Sequence, residues 1–349
     1  MYPVPLWNEE TGLVSGETVL FTGTAPGKLL FPAEEIIQIS NPLRNEVYLK
    51  DVHFTHERNS NIVTPIPGSG ICGIEGGIFP DPATAEVYPS PRANAITGGP
   101  DGKLLLFDNS SFFARHQAVV DYKAAAGTEF PRLHALKEGQ LPRFCAKLKE
   151  GQGPLSCILI GDSISEGYNS SEFVKVFPYA PPYLNQFARS LKAKYGTHIS
   201  VTNGAIGGTS CAGASAIECR WLEPACDLLI IAYGMNDFGR MTPEEYREII
   251  RGIVEKKSAL HPETEFILVS SMTRNPLWYG DVFERSKAFA EALGTLSSPR
   301  CAVADVHTFW HSIVEKKDYY DLTGNGVNHP NDYGHQLYCK VLTELFRNI

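Results

Sequence analysis

A serine and a histidine lie at positions where they could act together as nucleophile and base. Ser163 ends the sequence Gly161-Asp162-Ser163, which directly follows an apolar run of strand length. A serine at the carboxyl end of a buried strand lies at the edge where open α/β sheets bind ligands. His329 lies in the turn-rich stretch 325–335, ahead of the last helical pattern, and it offers a base. A hydroxyl needs such a base at neutral pH, although Gly-Asp-Ser alone is equally typical of an ordinary turn or helix N-cap.

Two further stretches could supply hydrogen-bond donors to an oxyanion. The sequence NGAIGGTS at 203–210 follows the second apolar run, and its glycines let the backbone approach a ligand closely. The sequence YGMND at 233–237 includes the end of the third run, and the side-chain amide of Asn236 can donate to an oxyanion. Each stretch by itself is also typical of tight turns and helix caps.

The order of these blocks, GDS, then NxxxxG, then GxND, then HP before the last helix, resembles the SGNH (GDSL-type) hydrolase family of serine esterases. The resemblance covers about residues 155–347. It implies a nucleophile, Ser163, and a base, His329. It also implies an oxyanion hole made from the main-chain amide of Ser163, from Gly208, with Gly207 as the neighbouring alternative, and from Asn236.

The sequence departs from the family pattern beside the histidine. The family usually has Asp three residues before the catalytic histidine, and here that position is Gly326. Either a main-chain carbonyl or another side chain orients His329, or the serine and histidine act as a dyad. The candidate side chains are Asn325, Asp321 and Asp332.

A literal Asp-x-x-His does occur slightly later, as Asp332 and His335. We favour His329 as the base because its His-Pro sequence precedes the helix, as in the family block. His335 would lie about one turn inside that helix.

The elements that must position these residues follow an α/β pattern. From Leu155 onward, apolar runs alternate with helical patterns, and the runs fall at 157–160, 199–202, 228–233, 266–270 and 301–306. Such runs predict a parallel sheet covered on both faces. The helix after the third run begins with the capping box Thr242-Pro243-Glu244-Glu245. The resemblance implies a flavodoxin-like, three-layer hydrolase domain.

The first part of the chain has a different pattern. Residues 1–130 carry short apolar or alternating runs separated by Gly, Pro, Asn and Asp, which predicts a β-sandwich of jelly-roll type. Residues 131–154 contain a short helical pattern followed by a Gly-rich turn, and they predict a linker. The catalytic domain is predicted over 155–349.

Composition limits the partners. The chain has 349 residues, a formal net charge of -8 and no Lys/Arg cluster, which argues against nucleic acid as a partner. Eight cysteines include no C-x-x-C pair, and no ligand cluster has metal-site spacing, so we expect neither metal nor cofactor. No basic leader precedes an apolar core and no apolar run is long enough to span a bilayer, so we expect a cytoplasmic protein without a membrane partner. The oligomeric state stays open.

The two-part arrangement looks like that of carbohydrate esterases that remove acetyl groups from xylan or other sugars. Trp278 and Tyr279, in the loop after the fourth run, could stack on a sugar ring, while packing of Trp278 between the domains is the alternative. We therefore expect a serine esterase that deacetylates oligosaccharides such as xylo-oligosaccharides. A general short-chain lipid esterase or thioesterase, and a non-catalytic carbohydrate-binding protein, are the competing hypotheses.

Overall fold

The computed structural model describes residues 6–151, 153–280 and 283–349. Some parts of the predicted domains lie outside the described residues. These include residues 1–5 of the first domain, where a leader would begin, and residue 152 of the linker.

Antiparallel strands form the amino-terminal part. Its elements are β1 (Leu13–Val19), β2 (Gly27–Ser40), β3 (Val47–Tyr48), β4 (Phe54–His56), β5 (Ser60–Pro65), β6 (Ala95–Ile96), β7 (Leu105–Leu106), α1 (Phe112–His116) and β8 (Ala118–Ala124). A six-stranded sheet has the order β1-β8-β2-β5-β4, with β3 paired to β2, and β6 and β7 form a separate ribbon. The β-rich prediction is confirmed, but the described residues form one large sheet and a ribbon where the sequence predicted a sandwich.

The carboxyl-terminal part is the predicted parallel sheet with its helices. Its elements are α2 (Pro142–Glu150), β9 (Leu155–Gly161), α3 (Ser163–Glu166), α4 (Tyr183–Tyr195), β10 (Ile199–Asn203), α5 (Glu218–Trp221), β11 (Leu228–Ala232), α6 (Pro243–Leu260), β12 (Glu265–Val269), α7 (Phe283–Gly294), β13 (Cys301–Ala304), α8 (Val306–Val314) and α9 (Asp332–Leu345). All five predicted strands are present, and the capping box at Thr242 begins α6.

The strand order places the loops that carry the candidate residues together. The order is β10-β9-β11-β12-β13, with every neighbouring pair parallel. The chain leaves β9 towards β10 on one side and leaves β11 towards β12 on the other. The carboxyl ends of β9 and β11 therefore flank the switch point at which open α/β sheets bind ligands.

One apolar core spans both parts of the chain. The Trp7 ring lies 5.5 Å from Phe31 on β2 and 6.2 Å from Phe309 on α8, measured between ring centroids. Phe144 and Leu148 of α2 are also buried, so the connection between the two parts is packed against them. Among the described residues, no helix combines the length and the apolar character needed to cross a membrane.

Candidate active site

Ser163 and His329 meet at the carboxyl edge of the parallel sheet. Ser163 begins α3 directly after β9, and His329 lies in the loop before α9. The Ser163 Oγ lies 2.8 Å from the His329 Nε2, which is hydrogen-bond distance. Both side chains are buried, with 6% and 7% of their surface exposed. The geometry is that of a hydroxyl with a base in position to take its proton.

The surroundings keep the His329 ring neutral. Burial, with a smaller contribution from the neighbouring His335, lowers the pKa of His329 to about 3. A neutral imidazole has one nitrogen that accepts and one that donates. The nitrogen facing Ser163 can therefore act as an acceptor only if the proton is on the other nitrogen, Nδ1.

That other nitrogen contacts a residue which the sequence analysis missed. The His329 Nδ1 lies 2.9 Å from Oδ1 of Asn169, in the loop after α3. The Asn169 Nδ2 in turn donates to the carbonyl oxygen of Gly324 at 2.9 Å and to that of Ser110 at 3.3 Å. In the sequence, two weak hints point to this role of Asn169. Position 169, six residues after Ser163, is polar, and the position where the family has aspartate is Gly326.

The three side chains predicted to orient His329 have other partners. Asn325 accepts three main-chain N–H bonds through Oδ1, each 3.0 Å long, from residues 327, 328 and 329. It thereby fixes the backbone of the histidine loop. Asp321 accepts from the main-chain N–H of Leu20, and Asp332 accepts from that of Ser171. None of them bonds to the imidazole, whose Nδ1 has Asn169 as its hydrogen-bond partner instead.

The glycine at position 326 has a physical cause. Gly326 has φ +85°, and a Cβ added there would lie 2.6 Å from the carbonyl oxygen of Leu106 on β7. The amino-terminal part of the chain therefore occupies the space into which an aspartate side chain would project. The packing between the two parts of the chain therefore leaves no room for an aspartate at this position.

The predicted oxyanion donors lie on three neighbouring loops that bond to one another. Asn236 donates through Nδ2 to the carbonyl of Thr209 at 3.0 Å, which joins the loops after β10 and β11. Gly207 donates its N–H to Oε2 of Glu166, so this amide already has an acceptor. The main-chain N–H groups of Gly208 and Ser163 have no acceptor among the described residues. Of the two glycines, Gly208 has the free donor.

The pKa of the aspartate in Gly-Asp-Ser is also shifted. Burial raises the pKa of Asp162 to about 7, although the main-chain amides of Ile164 and Met235 favour its ionised form. Its Oδ1 accepts from the N–H of Ile164 at 3.0 Å and caps α3. Asp162 therefore shapes the turn that presents Ser163.

The predicted alternative base lies apart from the serine. His335 lies inside α9 and is buried. Its Nε2 lies 3.4 Å from the carbonyl of Tyr168, and its ring faces Tyr183. Within the described chain, the hydroxyl of Ser163 has His329 as its imidazole partner.

The two predicted sugar-stacking residues differ in environment. Trp278 donates Nε1–H to the carbonyl of Thr97 at 3.0 Å and packs beside Gly98, as the interface alternative predicted. Tyr279 is 60% exposed. An aromatic residue that we missed, Tyr168, lies closer to the catalytic pair, because its ring centroid is 5.2 Å from that of His329.

The described residues include no group of three His, Cys, Asp or Glu side chains arranged to hold a metal ion. All eight cysteines are free thiols.

Comparisons with solved structures give low identities. A member of the lipolytic G-D-S-L family from Veillonella parvula is 18% identical with a TM-score of 0.45, over 56% of this chain and 99% of that one. A two-domain esterase (CEX) active on acetylated mannans is 20% identical with a TM-score of 0.46, over 59% of this chain and 53% of that one. A variant of Axe2, an acetyl xylan esterase from Geobacillus stearothermophilus, is 18% identical with a TM-score of 0.44, over 57% and 98%.

No curated protein sequence matches the chain. The family model for the GDSL-like lipase/acylhydrolase family matches residues 159–337, which is just over half of the chain. The matched range begins in β9, two residues before Gly-Asp-Ser, and ends inside α9, after the histidine loop. The chain belongs to the GDSL-like lipase/acylhydrolase family.

Proposed function

We propose that this protein is a serine esterase that hydrolyses short-chain acyl esters, with Ser163 as nucleophile and His329 as base. One observation carries the proposal, the 2.8 Å contact between the Ser163 Oγ and the His329 Nε2. Family membership supports the reaction class, ester hydrolysis.

In the proposed reaction, the Ser163 hydroxyl attacks the acyl carbon of the ester while His329 takes its proton. The negative charge that develops on the carbonyl oxygen is stabilised by the N–H groups of Ser163 and Gly208 and the side-chain amide of Asn236. Each such donor typically contributes about 3 kcal/mol to lowering the barrier. His329 then protonates the leaving alcohol, and a water activated by the same histidine hydrolyses the acyl-enzyme.

We propose acetylated oligosaccharides, such as xylo-oligosaccharides, as the substrate class. Tyr168 supports this, because it is partly exposed and lies between His329 and Gly207, whose added Cβ would be 3.1 Å from the Tyr168 hydroxyl. A ring in this position offers an apolar face to a sugar and a hydroxyl to a sugar oxygen. The exposed ring of Tyr279 offers a second such face.

A general short-chain lipid esterase or thioesterase is the second candidate function. The Phe173 ring lies 4.3 Å from that of Tyr168 and is 39% exposed, so an apolar surface continues from the catalytic pair. Such a surface could hold a longer acyl chain. The carbohydrate-binding hypothesis without catalysis is less well supported, because a binding protein has no need of a serine hydroxyl on a neutral imidazole.

We further propose that residues 1–130, 131–154 and 155–349 form an accessory domain, a linker and the catalytic domain. Asn109 and Ser110 bond to Asn325 and Asn169 of the catalytic part, which supports a role for the accessory domain in completing the site.

The test is acetate release from acetylated xylo-oligosaccharides, compared with a simple acetyl ester and an octanoyl ester of the same alcohol. Ser163→Ala and His329→Ala should each lose about 10⁴-fold or more in kcat, as catalytic serines and histidines do elsewhere. Ser165→Ala is the matched control, because its hydroxyl bonds to Tyr183. It should stay within about tenfold of the parent, since one neutral hydrogen bond contributes about 1 kcal/mol.

Each outcome separates the hypotheses. Faster cleavage of the octanoyl ester than of both acetyl substrates would favour the lipid esterase. Loss of activity in His335→Ala, beside an active His329→Ala, would refute the assignment of the base. Absence of turnover on every ester would leave the binding protein as the remaining hypothesis.

A further inference from the structure

We propose that Asn169 is the residue that orients His329, so that the proposed esterase works through a Ser163–His329–Asn169 triad. This inference rests on the proposed function for its catalytic meaning. The contact itself, 2.9 Å between the His329 Nδ1 and the Asn169 Oδ1, is a feature of the fold.

The surrounding hydrogen bonds fix which end of the Asn169 amide faces the ring. Its Nδ2 lies at hydrogen-bond distance from two carbonyl oxygens, those of Gly324 and Ser110. Carbonyl oxygens only accept, so the NH₂ group must face them and Oδ1 must face the ring. An oxygen in this position requires the proton to be on the His329 Nδ1. The Nε2 lone pair is then directed at the Ser163 hydroxyl.

The backbone conformation and close packing of Asn169 hold its side chain beside the His329 ring. Asn169 is buried and has φ +61°, a left-handed conformation that asparagine tolerates better than most residues. A Cβ added at Gly324 would lie 2.6 Å from the Asn169 Cβ, so the glycine lets the histidine loop approach closely. Asn169 therefore contacts both the ring of His329 and the loop that carries it.

Asn169 replaces the missing acid with a neutral acceptor. Position 326 has no room for a side chain. The three predicted candidates, Asn325, Asp321 and Asp332, hydrogen-bond elsewhere. The titratable groups of the described residues that face the His329 ring are Tyr168, in the loop after α3, and His335, on α9. An amide selects the tautomer of His329 without adding a charge that would stabilise the imidazolium.

The experiment compares Asn169→Ala with Asn169→Asp, using kcat and KM on a simple acetyl ester. Asn169→Ala should lower kcat by about 10³-fold, since a wrong tautomer costs up to about 10⁴-fold in a related triad, while KM should change by less than about threefold. Asn169→Asp keeps an acceptor for Nδ1–H and should recover at least tenfold of that loss. The Asn169→Asp variant loses both N–H donors to the carbonyls of Gly324 and Ser110. If Asn169 only held these loops in place, Asn169→Asp would therefore be as inactive as Asn169→Ala.

A second readout reports the tautomer directly. Histidine side-chain ¹⁵N NMR of the wild type, with His329 assigned by its absence in His329→Ala, should show the proton on Nδ1. In Asn169→Ala that preference should be lost. Gln186→Ala is the matched control, because Gln186 on α4 is also a buried amide and donates through Nε2 to the carbonyl of Pro181, outside the histidine loop. It should lower Tm without changing the His329 spectrum.

Several results would overturn the inference. These are a wild-type His329 protonated on Nε2, an unchanged tautomer in a folded Asn169→Ala, or an Asn169→Asp variant no more active than Asn169→Ala. Failure of the proposed function gives a different result, in which the tautomer depends on Asn169 but neither the wild type nor any variant hydrolyses an ester.

Discussion

The residue that sets the chemistry of the site is His329, and its environment is unusual for a general base. Its ring is buried, its Nδ1 partner is an uncharged amide, and the nearest ionisable ring on α9 is another histidine. Burial and the second histidine disfavour the imidazolium, and the amide supplies no negative charge to oppose them. In the more familiar arrangement a carboxylate would favour it.

This environment predicts activity that persists into acid. A base works only while it is neutral, and burial lowers the pKa of His329 to about 3, so it stays neutral at pH 5. An imidazole with the usual pKa of about 6.5 would be only about 3% neutral at that pH. We expect kcat/KM on an acetyl ester at pH 5 to lie within about threefold of its value at pH 7.

Two other groups near the site could shape the pH profile, because burial raises the pKa of Asp162 to about 7 and that of Asp332 to about 6. Asp162→Asn keeps an oxygen to accept from Ile164 N–H and removes the titration. Asp332→Asn likewise keeps an acceptor for the N–H of Ser171. An acid limb with a midpoint between pH 6 and 7 that persists in the Asp162→Asn/Asp332→Asn double variant would contradict the prediction for His329.

At the scale of elements, the decisive piece is the loop of residues 322–331 that carries His329 to Ser163. Asn325 holds its backbone from within, and Asn331 caps α9 at its end. From outside, the Leu106 carbonyl of β7 lies close to Gly326, and the Asn169 side chain packs against Gly324. The loop conformation is therefore determined by its own asparagines together with contacts from β7 and from the loop that carries Asn169.

We expect Gly326→Ala to cost more stability than its backbone conformation alone explains. An alanine in a left-handed conformation costs about 1–2 kcal/mol. Gly127→Ala is the matched control, because Gly127 has φ +80° and nothing lies within 4 Å of an added Cβ. At Gly326 the Cβ also meets the Leu106 carbonyl at 2.6 Å, so the loop must shift. Urea unfolding should show the larger loss for Gly326→Ala, with a fall in kcat that Gly127→Ala lacks. Equal losses of stability would show that β7 does not constrain the loop.

The sequence predicts those elements whose formation depends on local pattern. The five parallel strands and the Thr242 capping box follow from apolar runs and from residues three positions apart. The amino-terminal strands are harder to predict, because β2 continues through Pro32 from Gly27 to Ser40 and its pairing shifts register. The contact between Asn169 and His329 spans 160 residues and depends on how β7 and the Ser110 loop pack against the catalytic part. Such a contact leaves no local pattern in the sequence.

At the scale of the whole molecule, a buried ion cluster joins the two parts of the chain. Lys317 Nζ lies 2.8 Å from a carboxylate oxygen of Glu17 on β1 and 3.0 Å from one of Asp321. Tyr122 on β8 donates its hydroxyl to Glu17, and Leu20 donates its N–H to Asp321. The side chain of Lys317 is fully buried. This cluster connects the antiparallel sheet to the segment that leads into the histidine loop.

Removing the cation of this cluster should be strongly destabilising. Lys317→Met leaves two buried carboxylates without a compensating charge, and breaking a buried pair in this way typically costs about 3–5 kcal/mol. Lys28→Met is the matched control, because Lys28 and Asp318 form a pair at 3.8 Å whose side chains are 50% and 58% exposed. Exposed pairs contribute about 0–1 kcal/mol. The free energy of unfolding, measured by urea denaturation at pH 8, should fall by several-fold more in Lys317→Met than in Lys28→Met.

The pH dependence of that loss provides a second check. Burial already raises the pKa of Asp321 to about 6 while Lys317 opposes the shift, so removal of Lys317 should raise this pKa further. A group whose pKa is higher in the folded than in the unfolded state binds its proton preferentially in the folded state. The folded protein therefore loses stability as pH rises from the unfolded-state pKa through the folded-state pKa of that group. Lys317→Met should therefore recover part of its stability at pH 5 relative to pH 8. A loss that is the same at both pH values, or equal to that of Lys28→Met, would mean that the cluster does not hold the two parts together electrostatically.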